Sequence, residues 1–145
     1  IMDGIKHIII GIGSLGDNKV RNSIYERVKR KGYITPSIIH SRAYISPFSE
    51  IENGVQIFSN SVINADTKIS SNSVINSNCV VEHDCSINSN VFTVPGVIIC
   101  GGVKIKKNVF IGSNSTITPN VIIEENVFIR ANSLISKKTL EKTKL

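Results

Sequence analysis

The chain has 145 residues, 41% of them apolar, with three cysteines, no tryptophan and a formal charge of +6. That is enough chain for one or two small domains, and no apolar run approaches the roughly 18 residues that a membrane span requires. The N-terminus carries no signal-peptide pattern. Cys79, Cys85 and Cys100 are odd in number and lack a CxxC spacing, which argues for reduced thiols in a cytoplasmic protein over a disulfide framework.

Residues 1–40 read as a partial α/β segment. His7 to Ile12 is expected to form a buried strand. Asp17 can cap a helix whose apolar positions Val20, Ile24 and Val28 recur every fourth residue, with Gly32 ending it. Ser37-Ile38-Ile39-His40 reads as a second short strand, completing one βαβ-like unit too small to bury a core alone. Gly11, Gly13 and Gly16 match the GxGxxG spacing. That motif is weak by itself, and no acidic residue ends a following strand at the distance a dinucleotide site needs. A tight strand-to-helix turn is the simpler reading, although a helix start can receive a phosphate. The first 44 residues hold eight Lys or Arg against three acids, while the remainder is nearly balanced. Such a segment suits an anionic small molecule; Lys29, Arg30 and Lys31 fit a solvated helix face better than a nucleic-acid contact.

From Ile45 onward every sixth residue is a β-branched aliphatic or threonine, through Ile135, without a slip of register. These sixteen hexads contain fourteen isoleucine leads, the others being Val81 and Thr93. A fixed six-residue period is the signature of a parallel β-helix. The fourth residue after each lead, from Ser49 and Val55 through to Thr139, is small or β-branched and is expected to face inward. The third residue after each lead is Asn, Asp or Gly in all hexads but those of Phe48 and Lys138. Those residue types tolerate a left-handed backbone, so this position is the corner between strands. Three hexads make one triangular coil, coils stack about 4.8 Å apart, and the repeat supplies five coils and a spare side. The predicted class is therefore an all-β main domain over 41–145, preceded by the α/β segment.

One residue does not belong to the repeat. His83 is its sole histidine, and it stands two residues after its lead, where most hexads have Ser, Pro, Ala, Asn, Gly, Lys or Glu. One coil above it is Gly101 and one coil below is Ala65. Gly101 is not a corner, so turn geometry does not demand glycine there. Small neighbours around a lone imidazole leave a trough for a substrate. Asp84 occupies a corner where Asp is routine; its functional reading is to fix the tautomer of His83 and raise its basicity. Glu82 is expected to point to solvent. Asn76 can orient an acceptor or a carbonyl, in a chain where asparagine is common.

The run Val81-Glu82-His83-Asp84-Cys85, with Val94-Pro95-Gly96, Cys100 to Ile105 and Asn108 to Gly112, resembles a subfamily of the left-handed β-helix (hexapeptide repeat) acetyltransferases. It is the subfamily that modifies sialic acids and nucleotide-linked amino-sugars such as the bacillosamine precursor. Ile10 to Gly13 with Asn18 to Arg21 resembles the late part of that family's N-terminal domain. The resemblance implies a left-handed coil and a homotrimer with sites between subunits. It implies acetyl-CoA as co-substrate, no metal, and a role in bacterial surface-glycan biosynthesis. By it, His83 is the general base, Asp84 its support, and Asn76 a positioner of the sugar acceptor. Phe92, Gly101, Gly112, Ser113 and Ala131 stand where the coenzyme lies in an inter-subunit groove. The family often has a second histidine where this chain has Phe92. Its first strand and glycine-rich loop are missing before Ile1 and its usual end is missing after Leu145, so the chain reads as a piece or a shortened member.

Two rival readings share the fold. A zinc carbonic anhydrase needs three histidines around its metal, whereas of His7, His40 and His83 only the last lies in the repeat. A non-catalytic β-solenoid scaffold, or an inactive fragment of such an enzyme, predicts a regular face without a unique histidine–glycine pair.

Overall fold

The computed structural model describes residues 4–137. Strands of two residues follow one another from Ile38–Ile39 to Leu134–Ile135, one per hexad. Each pairs in parallel with the strand eighteen residues later, Ile39 with Ile57 and Ile57 with Ile75, so a coil is three strands and three turns. Three sheets result. The first stacks Ile38–Ile39, Gln56–Ile57, Val74–Ile75, Phe92–Thr93, Phe110–Ile111 and Phe128–Ile129. The second runs from Tyr44–Ile45 through Val62–Ile63, Val80–Val81, Ile98–Ile99 and Thr116–Ile117 to Leu134–Ile135. The third holds Glu50–Ile51, Lys68–Ile69, Ser86–Ile87, Lys104–Ile105 and Ile122–Ile123.

The hexad chemistry explains this architecture position by position. From Ile57 to Ile123 every lead residue is at most 1% exposed, and the inward residues Val55, Ser61, Thr67 and Ser73 are as deeply buried. The corners from Gly54 to Asn132 that carry Asn, Asp or Gly have φ between 55° and 78°. Phe48 lies outside that set, and the corner Lys138 and inward Thr139 lie outside the described residues. The inward hydroxyls are satisfied locally: Ser61 and Ser73 donate to the carbonyls of Asn76 and Asn88 in the coil above. A core of identical branched side chains stacked in register leaves no room to relax. Ile87→Ala is therefore expected to cost about 2–5 kcal/mol in urea unfolding. Ile122→Ala, on a side chain 49% exposed, should shift stability by less than about 0.5 kcal/mol.

The repeat begins one hexad earlier than the sequence suggested. Ile38–Ile39 pairs with Gln56–Ile57 as the first side of the β-helix, rather than closing a βαβ unit. The strand expected over His7 to Ile12 is reduced to a parallel bridge between His7 and Ile34. Only Ile10 of its isoleucines is buried, while Ile9 and Ile12 are exposed. Helix α1 spans Lys19–Arg30; Asp17 Oδ1 accepts from the Lys19 amide at 2.9 Å, and Gly32 follows the end with φ 77°. Its packed face overlaps the predicted one only in part, with Ile24 and Val28 half-buried. Val20 is 62% exposed, whereas Arg21 and Tyr25 are buried. The reason is a polar fit to a row of corner asparagines. Asn22 receives a bond from Asn72 and donates to Asn108, and Asn18 donates to the carbonyls of Asn90 and Val109. Arg21 Nη1 donates to the carbonyls of Ile10 and Ile12, tying the preceding segment to the helix.

The outer rows of the three sheets differ. On the first sheet Gln56, Val74, Phe92 and Phe110 are at most 8% exposed. They lie under the N-terminal segment: Gln56 Nε2 donates to the Ile10 carbonyl, and a Cβ on Gly16 would lie 2.8 Å from the Phe128 ring. That contact, with φ 111° at Gly16, accounts for the last glycine of the GxGxxG run as packing. The third sheet turns Glu50, Lys68, Ser86 and Lys104 outward, with Lys68 bridging Glu50 at 3.0 Å. The second sheet turns Tyr44, Val62, Val80, Ile98 and Thr116 outward, with Tyr44 56% and Ile98 41% exposed.

Candidate functional site

His83 stands on the turn between Val80–Val81 and Ser86–Ile87, the edge where the second sheet meets the third. Its backbone is fixed from both neighbouring coils. The Asp84 amide donates to the Ala65 carbonyl below, and the His83 carbonyl accepts from the Gly102 amide above, each at 3.0 Å. Thr67 Oγ1 donates to the Glu82 carbonyl at 2.7 Å and accepts from the Cys85 amide. Nothing in the sequence marked Thr67, because Ser73 at an equivalent inward position brackets its own corner in the same way.

The imidazole is oriented by its neighbour. His83 Nδ1 lies 2.7 Å from Asp84 Oδ2, so Nδ1–H donates to the carboxylate and Nε2 keeps its lone pair. Asp84 holds φ 59° as a corner residue, and that backbone is what turns its carboxylate back toward the ring. The hydrogen bond to Asp84 raises the imidazole pKa above its ordinary 6.5, against the opposing effect of desolvation; the charges of Asp84, Glu82 and Asp66 add to the rise. Glu82 is only half-buried and not simply solvated, since its Oε2 accepts from Asn64 Nδ2 at 2.8 Å.

Gly101 has a concrete role here. A Cβ at that position would lie 2.8 Å from His83 Cε1 and 2.9 Å from Nε2. The ring thus lies against bare backbone in the coil above, and the expected trough over Gly101 is filled by the imidazole itself.

The other predicted residues fall elsewhere. Asn76 sits on the turn between Val74–Ile75 and Val80–Val81, at the opposite edge of the second sheet. Its Oδ1 accepts from the Ser77 amide at 3.0 Å, and its Nδ2 makes no hydrogen bond among the described residues. Gly112 and Ser113 lie on that same edge two coils above Asn76, with Ala131 one coil further. A Cβ on Gly112 would meet the Arg130 carbonyl carbon at 2.7 Å and Ala131 Cα at 2.8 Å, so glycine lets these turns close on each other. Phe92 belongs to neither edge. It stacks on Phe110 with centroids 5.9 Å apart, and Phe110 on Phe128 at 5.2 Å. At 7% exposure its ring is buried in a cluster with Val74 and Phe110.

Within one chain the arrangement is therefore split. His83, Asp84 and Gly101 share one edge; Asn76, Gly112, Ser113 and Ala131 share the other. His83 stands on a convex edge, its side chain 63% exposed. Two clefts, of about 630 and 430 Å³, lie along the N-terminal segment, one near Tyr25 and Tyr33 and one near Gly16 and Phe128. Neither is lined by His83. The thiols of Cys79 and Cys85 are 1–2% exposed, and burial pushes both up in pKa, so neither presents a thiolate to a substrate. Among the described residues no three His, Cys, Asp or Glu side chains converge to hold a metal ion, and no helix is long and apolar enough to cross a membrane.

Comparison with known proteins agrees with the coil. Residues 102–137 match the family model described as bacterial transferase hexapeptide (six repeats). A variant of perosamine N-acetyltransferase from Caulobacter crescentus, solved with CoA and GDP-perosamine, superposes with a TM-score of 0.87 at 26% identity, over 92% of this chain and 62% of that one. The acetyltransferase domain of PglB from Neisseria gonorrhoeae gives a TM-score of 0.81 at 25% identity, over 84% of this chain and 60% of that one. WeeI from Acinetobacter baumannii shares the fold, with a TM-score of 0.69 at 19% identity over 92% of this chain and 64% of that one. This is a left-handed parallel β-helix of about five coils. The chain spans somewhat under two thirds of the length of each of these proteins. No curated protein matches the sequence.

Proposed function

We propose that this chain carries the β-helix of an acetyl-CoA-dependent sugar acetyltransferase, with His83 as general base. The observation that carries the reading is the pairing of His83 Nδ1 with Asp84 at 2.7 Å, which leaves Nε2 as an available proton acceptor against the bare backbone of Gly101. Two structural neighbours supply the chemical class: one is an N-acetyltransferase bound to CoA and GDP-perosamine, the other an acetyltransferase domain.

The step balances as follows. The acceptor's amine or hydroxyl attacks the thioester carbonyl of acetyl-CoA as His83 Nε2 takes its proton. The tetrahedral intermediate expels the coenzyme thiolate, which recovers that proton from the imidazolium. The products are the acetylated sugar and free CoA, and Asp84 stabilises the imidazolium in between. Asn76 Nδ2, unengaged, is the donor for an acceptor or carbonyl oxygen. Gly112, Ser113 and Ala131 form the track for the pantetheine arm, alongside Gly101. Because these groups occupy two edges, the site is completed between subunits, and a homotrimer is the assembly we assign. The N-terminal residues, up to about 40, lie on the acceptor side. A cytoplasmic enzyme of surface-glycan biosynthesis acting on a nucleotide-linked amino-sugar or a sialic acid fits this chemistry.

The test is thiol release from acetyl-CoA with a panel of such acceptors, run across pH. A base with a raised pKa is protonated and inactive below that value, so rate should fall as pH drops through it. Asp84→Asn keeps the left-handed corner but removes the charge that raises the pKa. Its acidic limb should move to lower pH, toward the ordinary 6.5, with a lower plateau. A limb that does not move would remove Asp84 from the mechanism, and no turnover with any acceptor would leave the chain as a scaffold or inactive fragment.

A further inference from the structure

The edge where the third sheet meets the first carries neither His83 nor Asn76. Its corner residues, one coil apart, are Gly54, Asn72, Asn90, Asn108 and Asn126. All five have a left-handed backbone, with φ 76° at Gly54, and asparagine adopts it as the other four do. Turn geometry therefore does not explain the one glycine, but its surroundings do. A Cβ there would lie 3.0 Å from Cε2 of Tyr25 and 3.3 Å from Oγ1 of Thr35. Bare backbone at Gly54 lets these two side chains close on the first coil. Tyr25 and Thr35 are 5% and 9% exposed, and neither hydroxyl makes a hydrogen bond among the described residues. Buried hydroxyls are normally paired. Both residues line the cleft of about 630 Å³, a size within the roughly 300–1,000 Å³ of small-molecule sites. Lys29, Tyr33, Glu52 and Asn53 line it too. The Lys29 ammonium, the Tyr33 hydroxyl and the Asn53 side-chain amide are likewise unengaged among the described residues. Glu52 is fixed, its Oε2 accepting from the Ser71 amide at 3.0 Å.

We infer that this cleft binds a neutral saccharide, at a site separate from His83. The choice follows from the donors and acceptors that line it. An apolar ligand would leave the two buried hydroxyls unpaired. A phosphate or carboxylate would meet one lysine with the Glu52 carboxylate on the same wall, so the lining offers an anion no net positive charge. Sugar hydroxyls both donate and accept, which matches a lining of hydroxyls, an amide, an ammonium and a carboxylate. The C–H face of a pyranose packs on an aromatic ring, and Tyr33, half-buried, has free surface for it. His83 and Asn76 stand on the other two edges of the coil. A saccharide held here is therefore a second ligand and not the acceptor of the transfer. The inference does not depend on the acetyl-transfer reading, and each can fail without the other.

The experiment is a nuclear magnetic resonance titration of the isotope-labelled full chain with glucose, galactose and N-acetylglucosamine at millimolar concentrations. Inorganic phosphate is the anion probe. At least one sugar should shift the amides of Tyr33, Thr35 and Asn53 saturably, while those of His83 and Asp84 stay in place. Tyr33→Ala should weaken that binding several-fold. Gly54→Asn keeps the corner conformation but drives Tyr25 and Thr35 off the coil, and binding should be lost. Circular dichroism and thermal melting on the same samples report whether the β-helix persists. If Gly54→Asn does not fold, Tyr33→Ala decides. The proposal is overturned if none of the three sugars shifts the cleft amides, or if phosphate alone does. Shifts that gather at His83 instead reject it too, as does a Tyr33→Ala variant that binds like the wild type.

Discussion

His83→Ala is expected to lower turnover by about 10²–10⁴-fold, the usual range for loss of a general base, while oligomeric mass and melting temperature stay close to wild type. Both expectations follow from position. The side chain is 63% exposed and its one hydrogen bond is to the equally exposed Asp84, so no core contact is lost. The turn itself is held by the Gly102 and Asp84 amides and by Thr67, none of which uses the imidazole. Thiol release by the purified variant, with its mass and melt recorded beside it, decides the matter. Wild-type rates on a true acceptor would remove His83 as the base.

Gly101→Ala should be nearly as damaging without touching a reacting group. The added methyl would stand within 3 Å of Cε1 and Nε2 of the ring, closer than carbon atoms approach, so the imidazole must swing off the coil. A displacement of the base by about 1 Å can cost on the order of 10²-fold in rate. The backbone of Gly101 is not left-handed, so alanine is tolerated there and the fold should persist. Nuclear magnetic resonance supplies a readout that simple misfolding does not imitate. If the ring leaves Asp84, the titration of His83 should fall back toward its ordinary value. An unperturbed titration with unchanged rates would mean that the ring has room to spare and that Gly101 is incidental.

The sequence made the coil legible because one period governs three independent chemistries. Branched leads such as Ile87 and Ile105 must face the axis, small fourth residues such as Ser73 must fit beneath them, and corners such as Asn90 must accept a left-handed backbone. Each constrains the same register. The N-terminal segment was less legible, since its docking surface is polar. Asn18, Asn22 and Arg21 carry the contact, and of the apolar spacing Val20, Ile24 and Val28 the first is exposed and the other two are half-buried. Ile39 was assigned to that segment because nothing before it continued the hexad pattern, yet its pairing with Ile57 makes it the first rung. At the site, the uniqueness of His83 and its stacking beside Gly101 were both visible from an eighteen-residue spacing, but that the imidazole itself fills the space over Gly101 was not. That Phe92 would be buried was not, because its burial depends on a segment seventy residues away in sequence.

Acetyl-CoA binding to the full 145-residue chain, measured by calorimetry with the oligomeric mass determined in the same cell, tests the central claim most directly. Saturable heat at one site per subunit of an oligomer is the predicted result. A well-folded oligomer that gives no heat with acetyl-CoA would contradict it and leave a structural β-helix in its place.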